Sequence, residues 1–253
     1  MIITVATQKG GCAKTTTAGM ICHILSKKYK VLAIDLDSQG SLTDLMTGRD
    51  IYDFMGVTVF EAIKNQSPTG CIHKVSKFID IMTADDHLAL LPRWLYGDYK
   101  GNKSLALANV INQVKDNYDY IIIDTPPALG DHTINAISVS NAVLIMFGVG
   151  RQSYLAIDRF LETVGHCKKL VNPKIEVLGI LTTMLEPRRS DHRALLEMAR
   201  ETYGDLVFKS TIERRASTGR IDMTGFNKNS ELSSATSQYK IFVREMLERG
   251  NRL

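Results

Sequence analysis

A short apolar strand, Ile2-Ile3-Thr4-Val5-Ala6, runs into Lys9-Gly10-Gly11-Cys12-Ala13-Lys14-Thr15-Thr16, and the sequence predicts a helix from Thr15 onward. A glycine-containing loop between a buried strand and a helix N-terminus constrains the chain more than any other feature. Its backbone N–H groups converge on one concavity, the helix dipole adds partial positive charge, and a lysine there reaches β- and γ-phosphates. Thr15, directly after Lys14, is placed to offer its hydroxyl to Mg²⁺. The pattern therefore implies binding and hydrolysis of a nucleoside triphosphate.

The ordinary phosphate-loop pattern, G-x-x-x-x-G-K-[ST], needs glycine at positions 8 and 13, where this chain has Gln8 and Ala13. It has instead an extra lysine, Lys9. Two further segments follow in order, each ending an apolar run. They are Val31-Leu32-Ala33-Ile34-Asp35-Leu36-Asp37-Ser38-Gln39-Gly40 and Tyr120-Ile121-Ile122-Ile123-Asp124-Thr125-Pro126-Pro127.

The arrangement K-G-G-x-x-K-T-T resembles the deviant Walker A motif of the ParA/MinD superfamily. The other two segments resemble that family's D-x-D-P-Q-G strand and its Walker B strand with the switch loop after it. The resemblance runs from the first residue to the strand near Ile180 and thins beyond it. It implies an α/β P-loop NTPase with a mostly parallel twisted sheet, helices on both faces, and one ATPase domain over residues 1–253. The cofactors it implies are ATP and Mg²⁺.

Carried over residue by residue, the resemblance makes Lys9, Gly10, Gly11, Cys12, Ala13, Lys14, Thr15 and Thr16 the nucleotide-binding loop. Lys14 would contact the β/γ-phosphates. Thr15 would ligate the metal directly, Asp124 would hold it through water, and Asp35 would stand near the metal shell. Asp37 matches the family residue that orients the attacking water; alternatively it forms the turn before Ser38-Gln39-Gly40. Lys9 is the signature lysine that crosses an ATP-sandwiched homodimer to the partner's nucleotide; alternatively it serves its own subunit.

The rest of the chain alternates apolar runs with amphipathic segments, which argues for a parallel sheet covered on both faces. Strands are predicted near Ile2–Ala6, Val31–Asp35, Ile79–Thr83, Tyr120–Asp124, Ala142–Phe147 and Val177–Thr182, with a shorter one around Thr211. Helices are predicted at Thr15–Lys28, Val59–Lys64, His87–Tyr96, Ser104–Asn117, Tyr154–Leu170, Asp191–Tyr203 and Ser234–Arg249. The Ser/Thr/Asn/Gly-rich stretch Arg215–Ser234 reads as loop with short helical pieces.

Four cysteines without paired spacing support neither a disulfide framework nor a metal cluster. Cys12, at a helix N-terminus, is either a thiol whose modification would block the loop or a position where only the backbone matters. No run is long and apolar enough to span a membrane, and no signal peptide is evident, so a cytoplasmic protein is expected.

The net charge of +4 is a mild basic bias. From Glu186 to Leu253 there are thirteen Lys/Arg against ten Asp/Glu. Arg188, Arg189, Arg214, Arg215 and Arg220 are the candidate DNA contacts, resting mostly on the resemblance. Such contacts would be sequence-independent and salt-sensitive.

The short Soj-like branch of the family implies a partition ATPase. It would associate with the nucleoid, bind DNA non-specifically as an ATP dimer, and be released by a ParB-like centromere-binding partner that stimulates hydrolysis. The alternative is a MinD-like membrane-positioning ATPase. Against it, Tyr239, Phe242, Val243, Met246 and Leu247 form a stripe that suits a core-facing last helix rather than a membrane helix. An iron-protein role would need cluster cysteines, and a ligase of the dethiobiotin synthetase type would be expected to lack Lys9. The chain departs from the family at Ala13, at Ser38, and over Ala216–Ser230, where the usual S-E-A-P-x-x-G pattern is absent.

Overall fold

The computed structural model describes residues 1–224, 226 and 232–252. The strands are β1 (Ile2–Ala6), β2 (Val31–Asp35), β3 (His73–Lys74), β4 (Ile79–Met82), β5 (Tyr120–Asp124), β6 (Ala142–Gly148), β7 (Glu176–Leu185) and β8 (Val207–Glu213). They form a sheet in the order β3-β4-β2-β5-β1-β6-β7-β8, parallel throughout except for the β3–β4 pair. Every residue of β1, β2 and β6 is buried. Unbroken apolar runs of this kind are what a doubly covered parallel sheet requires.

The helices are α1 (Lys14–Leu25), α2 (Ser41–Thr47), α3 (Val59–Asn65), α4 (Leu91–Gly97), α5 (Ala106–Ile111), α6 (Asp131–Val139), α7 (Arg151–Leu170), α8 (Ser190–Tyr203), α9 (Ala216–Thr224) and α10 (Leu232–Gly250). Alternation along each strand sends successive side chains to opposite faces. Ile3 and Val5 of β1 join α1, α2 and α10 in one core layer, while Ile2 joins α3 to α6 in another. Ala6 points to a third layer, built with β6, α7 and α8.

Helix α1 lies between the sheet and the outer helices, which is why nine of its twelve residues are buried. Tyr239, Phe242, Val243 and Met246 of α10 are buried against it and β8, with Leu247 packed alongside, as the expected stripe requires. Among the described residues, no helix is long and apolar enough to cross a membrane.

The sequence did not reveal α2, α6 or the two-residue β3. The helix expected over Ser104–Asn117 is divided into α5 with a single 3₁₀ turn on each side. Strand β7 runs three residues beyond Thr182, because its pairing with β8 resumes at Leu185 and Glu213 after a register shift. Of the stretch read as loop with short helical pieces, Ala216–Thr224 is one nine-residue helix, α10 already begins at Leu232, and residues 225 and 227–231 lie outside the described residues.

Candidate nucleotide site

Strands β1, β2 and β5 deliver their functional residues to one edge because they are parallel and in register. Asp35 and Asp124, the last residues of β2 and β5, stand opposite each other, and Val5 of β1 pairs with Asp124. From β1 the chain turns through the glycine loop into α1. The turn is made by two left-handed residues, Gly11 (φ 76°) and Ala13 (φ 53°, ψ 34°). Ala13 is the N-cap of α1 and offers no side-chain hydrogen bond. The first amides of this twelve-residue helix therefore lack a side-chain cap, and they face the cavity as an anion cradle.

The loop is clamped from behind. Thr183 of β7 donates its hydroxyl to the Cys12 carbonyl at 2.9 Å. The Cys12 side chain is 3% exposed and packs against Gly148 so closely that a Cβ there would stand 2.8 Å from its sulfur. This burial favours the reading in which only the backbone of Cys12 matters.

A cavity of about 510 Å³ opens over the loop, with Lys9, Lys14, Thr15, Thr16 and Asp44 among its walls. Lys14 is buried, its ammonium 3.9 Å from Asp124 Oδ1. Thr15 donates its hydroxyl to Asp124 Oδ2 at 2.6 Å, while Asp124 Oδ1 has no hydrogen-bond partner. Burial above all pushes the Asp124 carboxyl up to about 6, against the opposing pull of Lys14 and Thr15. A buried anionic oxygen left open beside a threonine hydroxyl is the hard-oxygen donor set that suits Mg²⁺.

Asp35 behaves differently. Its Oδ1 accepts the Asp37 amide at 3.1 Å, and its Oδ2 accepts both the amide and the hydroxyl of Thr43, at 2.8 and 2.9 Å. Both oxygens are thus committed to protein donors, which makes Asp35 the anchor of the β2–α2 turn rather than an open metal ligand. Burial, with Asp124 opposite, raises its acid to about 7.

Asp37 lies just beyond β2, near enough to Asp124 for its charge to raise that acid. Its Oδ1 also accepts the Gln39 amide at 3.2 Å, which is the turn contact weighed as the alternative. Gly40 (φ 60°) completes the turn, and a Cβ there would meet Ile51 at 2.3 Å. Lys9 is exposed on the cavity's outer rim, and its ammonium has no partner among the described residues.

A second cavity of about 640 Å³ adjoins the first, sharing Ala13, Thr16 and Met184 and extending to Arg214, Arg215 and Tyr239. Sequence reasoning missed Met184. It is half-buried and left-handed (φ 58°), a strained state for a long side chain, and it lines both spaces.

The candidate DNA arginines Arg188, Arg189, Arg214 and Arg215 do gather beyond the carboxyl ends of β7 and β8. Three are already paired with acids: Arg189 with Asp191 at 2.7 Å, Arg214 with Glu186 at 3.5 Å, and Arg215 with Glu213 at 3.1 Å. Arg188 is exposed and has no acidic partner among the described residues. The side chain of Arg220 lies outside the described residues.

A parallel sheet that carries a strand–glycine-loop–helix turn, with an aspartate closing the neighbouring strand, defines a P-loop NTPase fold. The AAA domain family profile matches residues 1–177, and the chain belongs to the ParA/MinD-type branch of that family. The sporulation initiation inhibitor protein Soj of Bacillus subtilis is 29% identical over 84% of each chain. A plasmid partition protein from Borrelia burgdorferi superposes with a TM-score of 0.75 at 25% identity, over 96% of this chain and 98% of that one. Cobyrinic acid a,c-diamide synthase from Mycobacterium smegmatis, in a structure with bound ADP and magnesium, gives a TM-score of 0.84 at 26% identity. That match covers 99% of this chain and 95% of the other.

Proposed function

We propose that the chain is a ParA-type ATPase that forms an ATP-sandwich dimer, binds DNA without sequence preference, and leaves it after partner-stimulated hydrolysis. The observation that carries this reading is the exposed Lys9, unpartnered among the described residues, on the rim of a cavity lined by Lys14 and Thr15, with Asp124 in contact behind them.

The α1 amides and Lys14 hold the β- and γ-phosphates, and the second cavity takes the nucleoside. Thr15 and the open oxygen of Asp124 would hold Mg²⁺, which when bound neutralises charge on the phosphate oxygens. Asp37 orients the attacking water. Lys9, poorly directed at its own γ-phosphate, supports the charge developing on the partner's, so that hydrolysis is complete only in the dimer. Arg188 and the arginines around it would meet DNA phosphates, with their acidic pairs exchanged for phosphate on binding. A ParB-like protein is the partner that this cycle calls for, and the nucleoid is its site of action.

The test is DNA binding measured with and without ATP across a salt series, beside co-sedimentation with anionic liposomes. ATP-dependent, sequence-indifferent binding that weakens steeply with salt supports the reading, since phosphate contacts release condensed counterions. ATP-dependent liposome binding without DNA binding would move the protein to the MinD-like alternative. Neither activity would leave a nucleotide-binding synthase on the same fold.

A further inference from the structure

Three consecutive residues of types that ligate metals stand just beyond the end of strand β4. Asp85, Asp86 and His87 follow Met82-Thr83-Ala84 and enter the 3₁₀ turn Asp86–Leu90. One ligand atom from each lies within 4.8 Å of the other two, and no other His/Cys/Asp/Glu group among the described residues does this. None of the three lines the nucleotide cavity.

The decisive feature is Asp85. Its side chain is 0% exposed, and neither carboxylate oxygen has a hydrogen-bond partner. A buried anion left this way is costly unless a cation compensates it. Glu61 adds a second negative charge nearby. Within the protein, the His87 backbone amide and imidazole lie close enough to offset part of that charge. His87 Nδ1 stands 3.5 Å from Asp85 Oδ2, too far for a good hydrogen bond. That separation is close to the spacing of two donors that share one ion at roughly 2.0–2.2 Å each in tetrahedral geometry.

The frame around the trio is fixed. Val59 donates to the Thr83 carbonyl at 2.8 Å, and Ala84 donates to the Thr43 hydroxyl at 2.9 Å. The Tyr52 hydroxyl donates to Asp86 Oδ2 at 3.4 Å, an outer contact of the kind that orients a metal-bound carboxylate. Asp86 and His87 are exposed, which leaves a way in for the ion and room for water as a further ligand.

We propose that Asp85, Asp86 and His87 form a binding site for one Zn²⁺-class divalent cation, separate from the nucleotide site. One imidazole with two carboxylates, held open to water, favours a borderline ion such as Zn²⁺ or Co²⁺ over Mg²⁺.

Isothermal titration of the nucleotide-free protein with ZnCl₂ in Mg²⁺-free buffer is the test, with the visible absorption of added Co²⁺ as a second reading. The expected result is one Zn²⁺ per chain, together with the Co²⁺ band of a low-symmetry site. His87→Ala and Asp85→Asn should each weaken Zn²⁺ binding at least about tenfold and abolish that band, with ATP affinity unchanged. His87 is half exposed, so its variant keeps the fold and decides the matter alone if the buried Asp85 variant does not fold. Absence of Zn²⁺ binding to the wild type overturns the proposal. Equal binding by the wild type and His87→Ala, which would point to the cysteines, overturns it as well.

Discussion

Asp35 and Asp124 stand opposite each other at the ends of adjacent parallel strands, yet only Asp124 keeps an oxygen without a hydrogen-bond partner. The difference comes from Thr43 of α2, whose amide and hydroxyl both turn to Asp35. Asp124 meets the Thr15 hydroxyl, the more distant Lys14 ammonium and the Thr125 amide, and these leave its Oδ1 without a hydrogen-bond partner. Two carboxylates in one register position therefore divide into an anchor and a group with one open oxygen.

That division predicts a pH dependence. The Asp124 acid, raised to about 6 from an ordinary 3.8, keeps a proton in the folded state that the unfolded chain has already released. Stability of the nucleotide-free protein should fall as pH rises from about 4 to 6, with a slope of up to about 1.4 kcal/mol per pH unit for this proton. Asp35 extends the fall toward 7. Denaturant titrations of the wild type and Asp124→Asn across this range should show a shallower slope in the variant; identical slopes would refute the assignment. Affinity for Mg²⁺ and ATP should move the opposite way, dropping as pH falls below about 6, where Asp124 takes up its proton.

Ala13 predicts a pair of opposite effects. A left-handed alanine carries strain of about 1 kcal/mol that glycine does not. Ala13→Gly should stabilise the fold by a few tenths to about 1 kcal/mol, because its greater chain entropy offsets part of the gain. Ala13→Val, which is β-branched and ill-suited to φ 53°, should destabilise by more than about 1 kcal/mol and weaken ATP binding. Chemical denaturation checks the signs, and equal stabilities would show that the loop relaxes at no cost.

Much of this site was legible from sequence because it depends on local order. An apolar run, a glycine loop and a lysine specify β1, the turn and the start of α1 within a residue, although α1 ends at Leu25, three residues short of the expected Lys28. The ends of β2 and β5 were equally legible. What was hidden depends on distant residues. The fate of Asp35 is decided by Thr43, on a helix of seven residues that is too short to show periodicity. Helix α6 escaped because its polar Asn135 is buried, with its amide bonded to the Lys103 and Asp131 carbonyls and its oxygen to the Leu107 amide. The second cavity assembles around Ala13, Met184 and Arg214, and only the folded sheet brings them together.

Met184 supplies the prediction for that cavity. If it forms the partition between phosphate and nucleoside spaces, Met184→Ala should weaken ATP several-fold while leaving inorganic tripolyphosphate binding unchanged. Competition titration separates the two ligands. Equal losses for both would mean that Met184 only shapes the phosphate loop.

Lys14→Ala should abolish ATP binding, since the triphosphate loses its principal cation and Asp124 loses its only ion-pair partner among the described residues. Unchanged affinity in equilibrium dialysis would remove the phosphate site from this loop.

Lys9 gives the most discriminating prediction, because its ammonium is exposed at the rim with no partner of its own among the described residues. Acting across a dimer, it should tolerate Lys9→Ala with ATP binding nearly intact, while hydrolysis is lost and dimerisation weakens. Asp37→Ala should also bind ATP yet accumulate as an ATP-bound dimer, since only water orientation is removed. Mixing the two variants creates heterodimers in which one nucleotide meets its own intact Asp37 and the partner's intact Lys9, while the other nucleotide meets neither. Losing a transition-state cation of this kind costs on the order of a thousandfold in rate, so one restored site per heterodimer should rise well above either variant alone. Phosphate release measured on the mixture, with heterodimers verified by differential tagging, gives the answer. If heterodimers form and release stays at the level of the separate variants, Lys9 acts within its own subunit and the sandwich geometry is wrong.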